Sequence, residues 1–360
     1  MRRDGQKKTI TVVNVNPLDW QHVAVGGGFL CFKIGEERKM KQLIILAAAV
    51  VLVISAMANT TVDAFGTGDN QFTIEFVTIS GDASSANGTN ITHVSPGNDR
   101  YKEFSDPGTF RIGKFEITNV QWTKFVNAHG SPTGNPQNAY NAAPYWADPD
   151  LPTNNVSWYE AAQFVNWLNT SNDHQAAYNF DGGIFSVWDA TDAWGGTNLY
   201  RHKDAIYFLP TEHEWIKAAH WNGTELQPFA NKECELLHHG DGISGTGWNY
   251  RSGIGMPWNV GSGSEELNGT FDMMGNVWEW TEGPYYDGNY SPDVDRAIRG
   301  GAYNTGEGNF VLFYRDHGYP PCNANIERYN FGFRVASVPE PASLGLLGLG
   351  GLALRRKQRR

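Results

Sequence analysis

The feature that most constrains the fold is a helix-start pattern that occurs three times in the centre of the chain. T-N-V-Q, S-W-Y-E and T-E-H-E, beginning at 118, 157 and 211, each place a hydroxyl residue three positions before Gln or Glu. This is a capping box, in which each of the two side chains accepts a hydrogen bond from the other residue's backbone amide. Apolar residues follow at helical spacing. The pattern predicts three short helices, near 119–128, 158–169 and 212–220.

Alternating apolar residues predict strands on both sides of these helices, at 72–79, 109–117, 296–303 and 330–337. We expect the first and last of these strands to pair, which would bring the ends of the domain together. The stretches between the helices are long and rich in Trp, Tyr, Asn and Asp, so we expect ordered loops at 129–156, 170–205 and 222–270. The sequence predicts one loop-rich α+β domain at 70–337.

An apolar segment near the N-terminus has the layout of an export signal. Lys41 precedes an apolar run from Leu43 to Ile54, and Ala56-Met57-Ala58 forms an A-x-A cleavage pattern. The alternative is a membrane anchor, for which the run is short. We expect a signal peptide at 40–58 that is cleaved after Ala58. We also expect translation to begin at Met40, so that residues 1–39 are an over-extended N-terminus.

The C-terminus carries three signals in order: Pro339-Glu340-Pro341, an apolar stretch at 342–354, and a basic end. This tail, 338–360, resembles a PEP-CTERM sorting signal. The resemblance implies an exported bacterial protein of the cell envelope or extracellular space, whose tail inserts transiently into the membrane and is clipped by an exosortase-type enzyme. A tail that stays in the membrane uncut is the alternative.

Without its two ends the chain is strongly acidic. Residues 59–341 contain 15 Lys and Arg against 34 Asp and Glu, a net charge of −19. Such a body repels phosphate backbones, which argues against nucleic acid as a partner, and it is compatible with bound cations. Cys234 and Cys322 are the cysteines of this body, and their spacing does not decide whether they form a disulfide.

Six ordered blocks within 70–337 identify a family resemblance. They are GKFEITNVQWTKFVN, NNVSWYEAAQFVNWLN, YFLPTEHEWIKAAHW, FDMMGNVWEW, RAIRGGAYN and NFGFRVAS. The chain resembles the sulfatase-modifying-factor family, whose founding activity is that of the formylglycine-generating enzyme. The resemblance implies a loop-rich α+β fold related to C-type lectins, with short helices around twisted antiparallel sheets.

The resemblance also implies a structural calcium ion at the G-N-V-W-E-W segment, with Gly275, Asn276, Val277 and Glu279 as candidate ligands. Calcium accepts six to eight hard oxygens, including backbone carbonyls. An acid between Trp278 and Trp280 is costly to bury unless it is paired. The alternative is that Glu279 pairs with an arginine, Arg299 or Arg334, and binds no metal.

A second calcium site of the family falls near Asn249 and Tyr250, but the acidic ligand expected after them has no clear counterpart in this sequence. The family's oxidases are further implied to bind copper(I) through a C-x4-C pair shortly after the R-G-G strand. Here the segment after Arg299-Gly300-Gly301 contains no such pair, which argues against copper.

Two functions of different classes remain open. The first is a calcium-stabilised binding or structural module that presents its long loops to an extracellular polysaccharide or protein. Trp146, Trp188, Trp194 and Trp248 lie in those loops and would either line a ligand groove or anchor the loops to the core. The second is a metal-dependent oxidase or hydroxylase that modifies exported proteins with a different set of residues.

Overall fold

The computed structural model describes residues 60–91, 102–132, 144–233, 237–251, 253–306, 312, 314–316 and 327–339, together with the backbone of 12–14, 20–25 and 28–33. The chain divides into two units, Met1–Asn59 and Thr60–Arg360. In the first unit, β1 (Val12–Asn14), β2 (Trp20–Val25) and β3 (Gly28–Lys33) form an antiparallel meander.

The second unit has an α+β fold, as the sequence predicts. Its helices are α1 (Asn119–His129), α2 (Trp158–Thr170) and α3 (Glu212–His220). Its strands are β4 (Thr60–Phe65), β5 (Phe72–Ile79), β6 (Phe110–Gly113), β7 (Asn179–Asp181), β8 (Ile184–Ser186), β9 (Ala193–Trp194), β10 (Asn198–His202), β11 (Tyr207–Phe208), β12 (Trp278–Pro284), β13 (Arg296–Arg299), β14 (Phe331–Gly332) and β15 (Ala336–Ser337).

All three predicted helices are confirmed, each within one residue of its expected bounds. Thr118, Ser157 and Thr211 are the N-caps, and both hydrogen bonds of every capping box are formed. In the α2 box, the Ser157 amide donates to Glu160 Oε2 at 2.6 Å. The local pattern was sufficient here because a capping box specifies a helix start without reference to tertiary contacts.

The main sheet has the strand order β11-β15-β6-β5-β4. Its two faces are covered by two hydrophobic clusters, so β5 buries side chains on both sides. Phe72, Ile74 and Phe76 face the cluster that contains α1 and α2, whereas Val77 and Ile79 face the cluster that contains α3. The sheet is thus the central layer between the helices.

Several strand predictions are corrected by the structure. The strand predicted at 109–117 covers only Phe110–Gly113, and the one predicted at 296–303 ends at Arg299, because Gly300 and Gly301 take positive φ angles. The last segment splits into β14 and β15. The predicted pairing of the first and last strands is wrong, because β6 lies between β5 and β15.

Seven strands of the second unit were not predicted. The segment 170–205, expected to be a loop, contains the short strands β7 to β10, and β11 follows it. The other two are β4 and β12. Strand β4 pairs with β5 along its whole length, from Thr60 opposite Val77 to Phe65 opposite Phe72, so the sheet begins ten residues before the expected domain start at 70. Strand β12 is the centre of a second sheet, β13-β12-β14, in which Glu279 lies opposite both Arg299 and Gly332. This second sheet contains the W-E-W end of the G-N-V-W-E-W segment.

No helix in the described part of the chain is both long enough and apolar enough to cross a membrane. The predicted signal peptide at 40–58 and the tail beyond Pro339 lie outside the described residues.

Candidate functional site

The G-N-V-W-E-W segment begins with a turn that requires glycine at position 275. Gly275 has a φ of +103°, and a Cβ there would come within 2.2 Å of the carbonyl oxygen of Asn249. Asn276 follows at φ +59°, a left-handed conformation that Asn tolerates better than most residues. Its amide donates to the Asn249 carbonyl at 2.8 Å. The turn is therefore packed directly against the backbone at position 249.

The buried Asn276 side chain joins three parts of the chain. Its Oδ1 accepts hydrogen bonds from the Trp258 amide at 2.9 Å and from Asn249 Nδ2 at 3.3 Å. Its Nδ2 donates to Glu116 Oε2 at 2.9 Å. The structure thus brings together Asn249 and Asn276, which the sequence assigned to two separate calcium sites. In this arrangement Asn276 acts as a hydrogen-bonded hub.

Glu279 is completely buried and forms an ion pair with Arg334, one of the two arginines that the sequence offered. Arg334 Nε donates to Glu279 Oε2 at 2.7 Å, and its Nη2 donates to Oε1 at 2.5 Å. The indole of Trp215 donates to Oε2 at 2.8 Å. The other arginine, Arg299, lies opposite Glu279 in the sheet but pairs with Glu212. Of the two arginines, only Arg334 balances the charge of Glu279.

Three further carboxyl groups, which the sequence analysis did not identify, are buried near Arg334. Asp272 accepts from the Trp258 indole at 2.8 Å and from the Gly261 amide at 2.9 Å. Glu266 accepts from two backbone amides and a threonine hydroxyl. Glu116 accepts from Asn276, but its Oε1 is buried without a hydrogen-bond partner among the described residues.

We define the carboxyl cluster as Glu116, Glu266, Asp272 and Glu279, and the first three of these acids hold protons more tightly than exposed acids do. Burial raises the pKa of Asp272 to about 6 and that of Glu266 to about 8. Burial also raises the pKa of Glu116 well above its usual value, and the charge of Asp272 raises it further. Glu116 and Asp272 each lie between apolar neighbours in the sequence, which is the same signal that drew attention to Glu279.

The carboxyl cluster is a partial fit for a cation. Four acids face one described arginine, and the free Glu116 Oε1 is the kind of hard oxygen that calcium accepts. Glu279 already accepts three hydrogen bonds, which leaves about one of its four acceptor positions for a metal. Within the described segments, no three His, Cys, Asp or Glu side chains converge as a metal site. Calcium at Gly275, Asn276, Val277 and Glu279 stays a prediction.

At the second predicted calcium site, the side chains of Asn249 and Tyr250 already take part in packing and hydrogen bonds. The Asn249 side chain donates to the Met256 carbonyl at 3.0 Å and to Asn276. The Tyr250 hydroxyl donates to the Leu237 carbonyl at 2.8 Å, and its ring stacks on His239 at 4.1 Å between centroids. Both residues are buried. Their backbone oxygens stay candidates for a metal, because a carbonyl can serve a neighbour and an ion together.

Cys234 and Cys322 lie outside the described residues, so their separation is not part of the site described here. The sequence after Gly301 contains no cysteine until Cys322.

A group of four aromatic side chains, two of them exposed, lies where three chain segments meet. We call Tyr145, Trp146, Tyr303 and Tyr329 the aromatic patch. Tyr145 is 65 % exposed and Tyr329 is 44 % exposed, and their ring centroids are 5.6 Å apart. Trp146 packs edge-on against Tyr145 at 4.9 Å and against Tyr303 at 6.1 Å. The patch combines accessible ring faces with a buried aromatic base.

Hydrogen bonds fix this patch to the rest of the fold. The Trp146 carbonyl accepts from the side chains of Asn119 and Asn154, at 2.7 and 3.0 Å. The Tyr303 amide donates to the Asn276 carbonyl at 2.9 Å. The Asn276 hub and the aromatic patch are thus joined by a direct backbone contact.

The four loop tryptophans lie in different surroundings. Trp248 is buried and packs against His238, as expected of a residue that anchors a loop. Trp188 donates to the Ala177 carbonyl and packs on His202. Trp194 is 39 % exposed and lies 5.3 Å from the Arg201 guanidinium. Trp146 alone of the four belongs to the aromatic patch.

Comparisons with known proteins agree with both sequence resemblances. Residues 81–338 match the family model described as the sulfatase-modifying factor enzyme 1-like domain, and residues 337–360 match the PEP-CTERM protein-sorting motif. The motif contains Pro339, Glu340 and Pro341 and marks the chain for sorting by an exosortase to the surface of the bacterial cell envelope.

Two curated relatives are both named hercynine oxygenase. The protein from Mycolicibacterium smegmatis is 24 % identical over 249 residues, which cover 62 % of this chain and 52 % of the relative. The protein from Mycolicibacterium thermoresistibile is 25 % identical over 233 residues, with 57 % and 46 % covered. The chain spans about half the length of these relatives.

Solved structures share the fold at low identity. Treponema denticola variable protein 1 matches with a TM-score of 0.52 and 19 % identity, covering 78 % of this chain and 99 % of that one. CarF matches with a TM-score of 0.51 and 22 % identity, covering 74 % and 99 %. Because the family model spans well over half of the sequence, the protein belongs to the family of sulfatase-modifying factor enzyme 1-like domains and carries a PEP-CTERM sorting motif at its C-terminus.

Proposed function

We propose that this protein is a binding module of the cell envelope, in which the aromatic patch binds an extracellular polysaccharide. The main observation in support is a pair of neighbouring exposed rings, Tyr145 and Tyr329, which come from segments far apart in sequence. Flat aromatic faces stack on the apolar faces of sugar rings, and a rigid base keeps this surface preformed. Sorting to the envelope surface is compatible with an extracellular polysaccharide as the ligand.

The surroundings of the patch favour a neutral sugar over an anionic ligand. Asn304 and Asn330 lie beside Tyr303 and Tyr329 and are joined by a hydrogen bond of 3.2 Å between their side chains. Amide groups of this kind both donate to and accept from hydroxyls. The acidic body, with its net charge of −19 between residues 59 and 341, disfavours anionic ligands. If neither polysaccharide in the following test binds the protein, a protein ligand becomes the favoured alternative.

The test is affinity electrophoresis of the purified protein through gels that contain dextran or hydroxyethylcellulose. Retardation by either polysaccharide is expected. Tyr145→Ala and Tyr329→Ala should each weaken binding about 2- to 10-fold, the range expected for one aromatic contact. Tyr145→Phe keeps the ring and should bind like the wild type, and Val62→Ala removes an exposed apolar side chain from β4 as a control. Equal retardation of all variants would show that the patch is not the binding surface.

Calcium as a structural ion is the second part of the proposal. It would be held by carbonyl oxygens of Gly275 and Val277 and by the remaining acceptor position of Glu279, with Asn276 shaping the turn. The surplus of buried carboxyl groups around Arg334 supports a bound cation. At this place calcium would balance charge and order the turn that supports Tyr303. The Asn249 and Tyr250 carbonyls are candidates for a second ion.

The alternative function is a metal-dependent oxidase or hydroxylase acting on exported proteins. The name hercynine oxygenase, carried by the two curated relatives, is what favours it. Elemental analysis of the purified protein distinguishes the two functions. A protein that contains calcium but no copper or iron supports the binding module. Stoichiometric copper or iron, with oxygen consumption in the presence of a cysteine-containing peptide, supports the enzyme.

A further inference from the structure

The described chain enters and leaves the main sheet at the same end. The register aligns Thr60 with Val77, Val77 with Ile112, and Ile112 with Ala336, so the start of β4 and the last strand lie on one row across the sheet. Each of these three pairings is antiparallel, so β4 and β15 run in opposite directions. The first strand therefore begins at the end of the sheet where the last strand finishes.

A buried arginine ties these two strands together. The Arg111 clamp consists of Arg111, Thr61, Asp63 and Ser337, all on one face of the sheet. Arg111 donates to both oxygens of Asp63, at 3.1 and 2.8 Å, and to Ser337 Oγ at 2.6 Å. It also donates to the Val338 carbonyl at 3.2 Å. The clamp thus extends from β4 to the residue that directly precedes the sorting motif.

The fold holds the chain in place up to Val338, the residue just before the sorting motif. The Val338 amide donates to the Ile206 carbonyl at 3.0 Å, so Val338 is held through both its amide and its carbonyl. Pro339, Glu340 and Pro341 then precede the apolar segment that starts at Ala342. Four residue steps span about 14 Å at full extension. An apolar segment placed in a membrane would therefore keep the end of the sheet within roughly that distance of the lipid.

We infer that the end of the main sheet around Ser80 and Val338 is a membrane-facing surface while the sorting tail is inserted. The opposite end of the sheet, at the turn that contains Asp69, points away from the lipid. The two ends are separated by the eight residues of β5, about 27 Å. This inference rests on membrane insertion of the tail, and it assigns an orientation to the sheet that insertion alone does not give.

The same geometry sets the position of processing. The exosortase must meet its motif directly beside the folded sheet, because Val338 is fixed by the fold.

The test uses the chain from Asn59 to Arg360, the form expected after cleavage at Ala58, in vesicles of phosphatidylethanolamine and phosphatidylglycerol that carry a headgroup-attached acceptor dye. This form lacks the N-terminal apolar run, which could otherwise hold the same end of the sheet at the membrane. Cys234 and Cys322 are replaced by serine, and a donor dye is attached at Ser80→Cys or, as the matched control, at Asp69→Cys, both of which are exposed positions. We expect energy transfer to be several-fold greater from position 80 than from position 69. A ten-residue Gly-Ser insertion between Val338 and Pro339 should remove most of this difference.

Equal transfer from the two positions without the insertion would overturn the inference. A difference that persists with the insertion would also overturn it, because the short connection would then not be the cause of the orientation. Flotation of the vesicles distinguishes a failure of the proposed orientation from a failure of tail insertion. If the chain does not float with the lipid, tail insertion itself fails, and the inference fails with it.

Discussion

At the scale of single residues, the main finding is how the protein handles acids between large apolar side chains. The sequence identified Glu279 by this pattern and offered Arg334 as one partner, and the structure forms that pair. It did not identify Asp272, Glu116 or Glu266, although the first two have apolar neighbours on both sides. Their convergence depends on loop paths around residues 258–272, which no local pattern specifies.

Removing Glu279 should be strongly destabilising because Arg334 is completely buried. We expect Glu279→Ala to lower the free energy of unfolding by about 3–5 kcal/mol, the cost of leaving a buried charge without its partner. Glu279→Gln keeps an acceptor for the Trp215 indole and should lose less. Urea unfolding of the three proteins measures this. A loss of under about 1 kcal/mol in the alanine variant would mean that Arg334 finds another partner.

Glu160 should make stability fall as pH rises. Burial raises its pKa to about 9, with Glu327 adding to the effect, while the unfolded chain ionises near 4.5. Between these values the folded state retains a proton that the unfolded state has released, so stability is lost with increasing pH. Glu160→Gln should reduce this slope by up to about 1.4 kcal/mol per pH unit between pH 5 and 8.

The first capping box already carries Gln at the equivalent position, Gln121, so the substitution is compatible with the α2 box. Glu225→Gln removes a carboxylate from the surface and serves as the matched control. Urea unfolding at several pH values gives the slopes. An unchanged slope in Glu160→Gln would mean that Glu160 is ionised in the folded protein.

At the scale of elements, the sequence predicts helices better than strands, and the reason is physical. A capping box and an apolar stripe are local, whereas a strand end depends on its neighbours. Strand β12 contains Glu279, Thr281 and Glu282, whose polar groups are satisfied only by distant partners such as Arg334 and Arg201. Strand β4 follows directly after the expected cleavage site, where an export signal dominates the pattern.

The Arg111 clamp should hold the first strand of the sheet to the last. Asp63→Ala leaves the Arg111 charge without its carboxylate, and we expect a loss of about 3 kcal/mol in the free energy of unfolding. Amide hydrogen exchange at Val338 should become faster, because the residue that holds its carbonyl is released. Asp69→Ala, in the exposed turn between β4 and β5, is the matched control and should change neither quantity. Unaltered exchange at Val338 would show that β15 is held without the clamp.

At the scale of the whole molecule, charge and architecture are both compatible with a bound cation. The body between residues 59 and 341 carries a net charge of −19. Part of that charge belongs to the buried carboxyl cluster, which faces Arg334 in the described part of the chain. Composition predicted the acidity, but only the fold shows that several of the acids lie in the interior. A cation bound there would act on the stability of the domain and, through Asn276, on the aromatic patch.

Calcium removal is therefore the most informative whole-molecule perturbation. An ion present at 100 times its dissociation constant adds about 2.7 kcal/mol, so EGTA should lower the melting temperature by about 5 °C or more. Magnesium should not restore it, because Mg²⁺ is smaller and demands a stricter geometry. In Glu279→Ala the EGTA effect should disappear, whereas in Val62→Ala it should persist in full. Calorimetry with and without EGTA measures both, and a wild-type melting temperature that does not respond to EGTA would leave the carboxyl cluster balanced by Arg334 and retained protons instead of an ion.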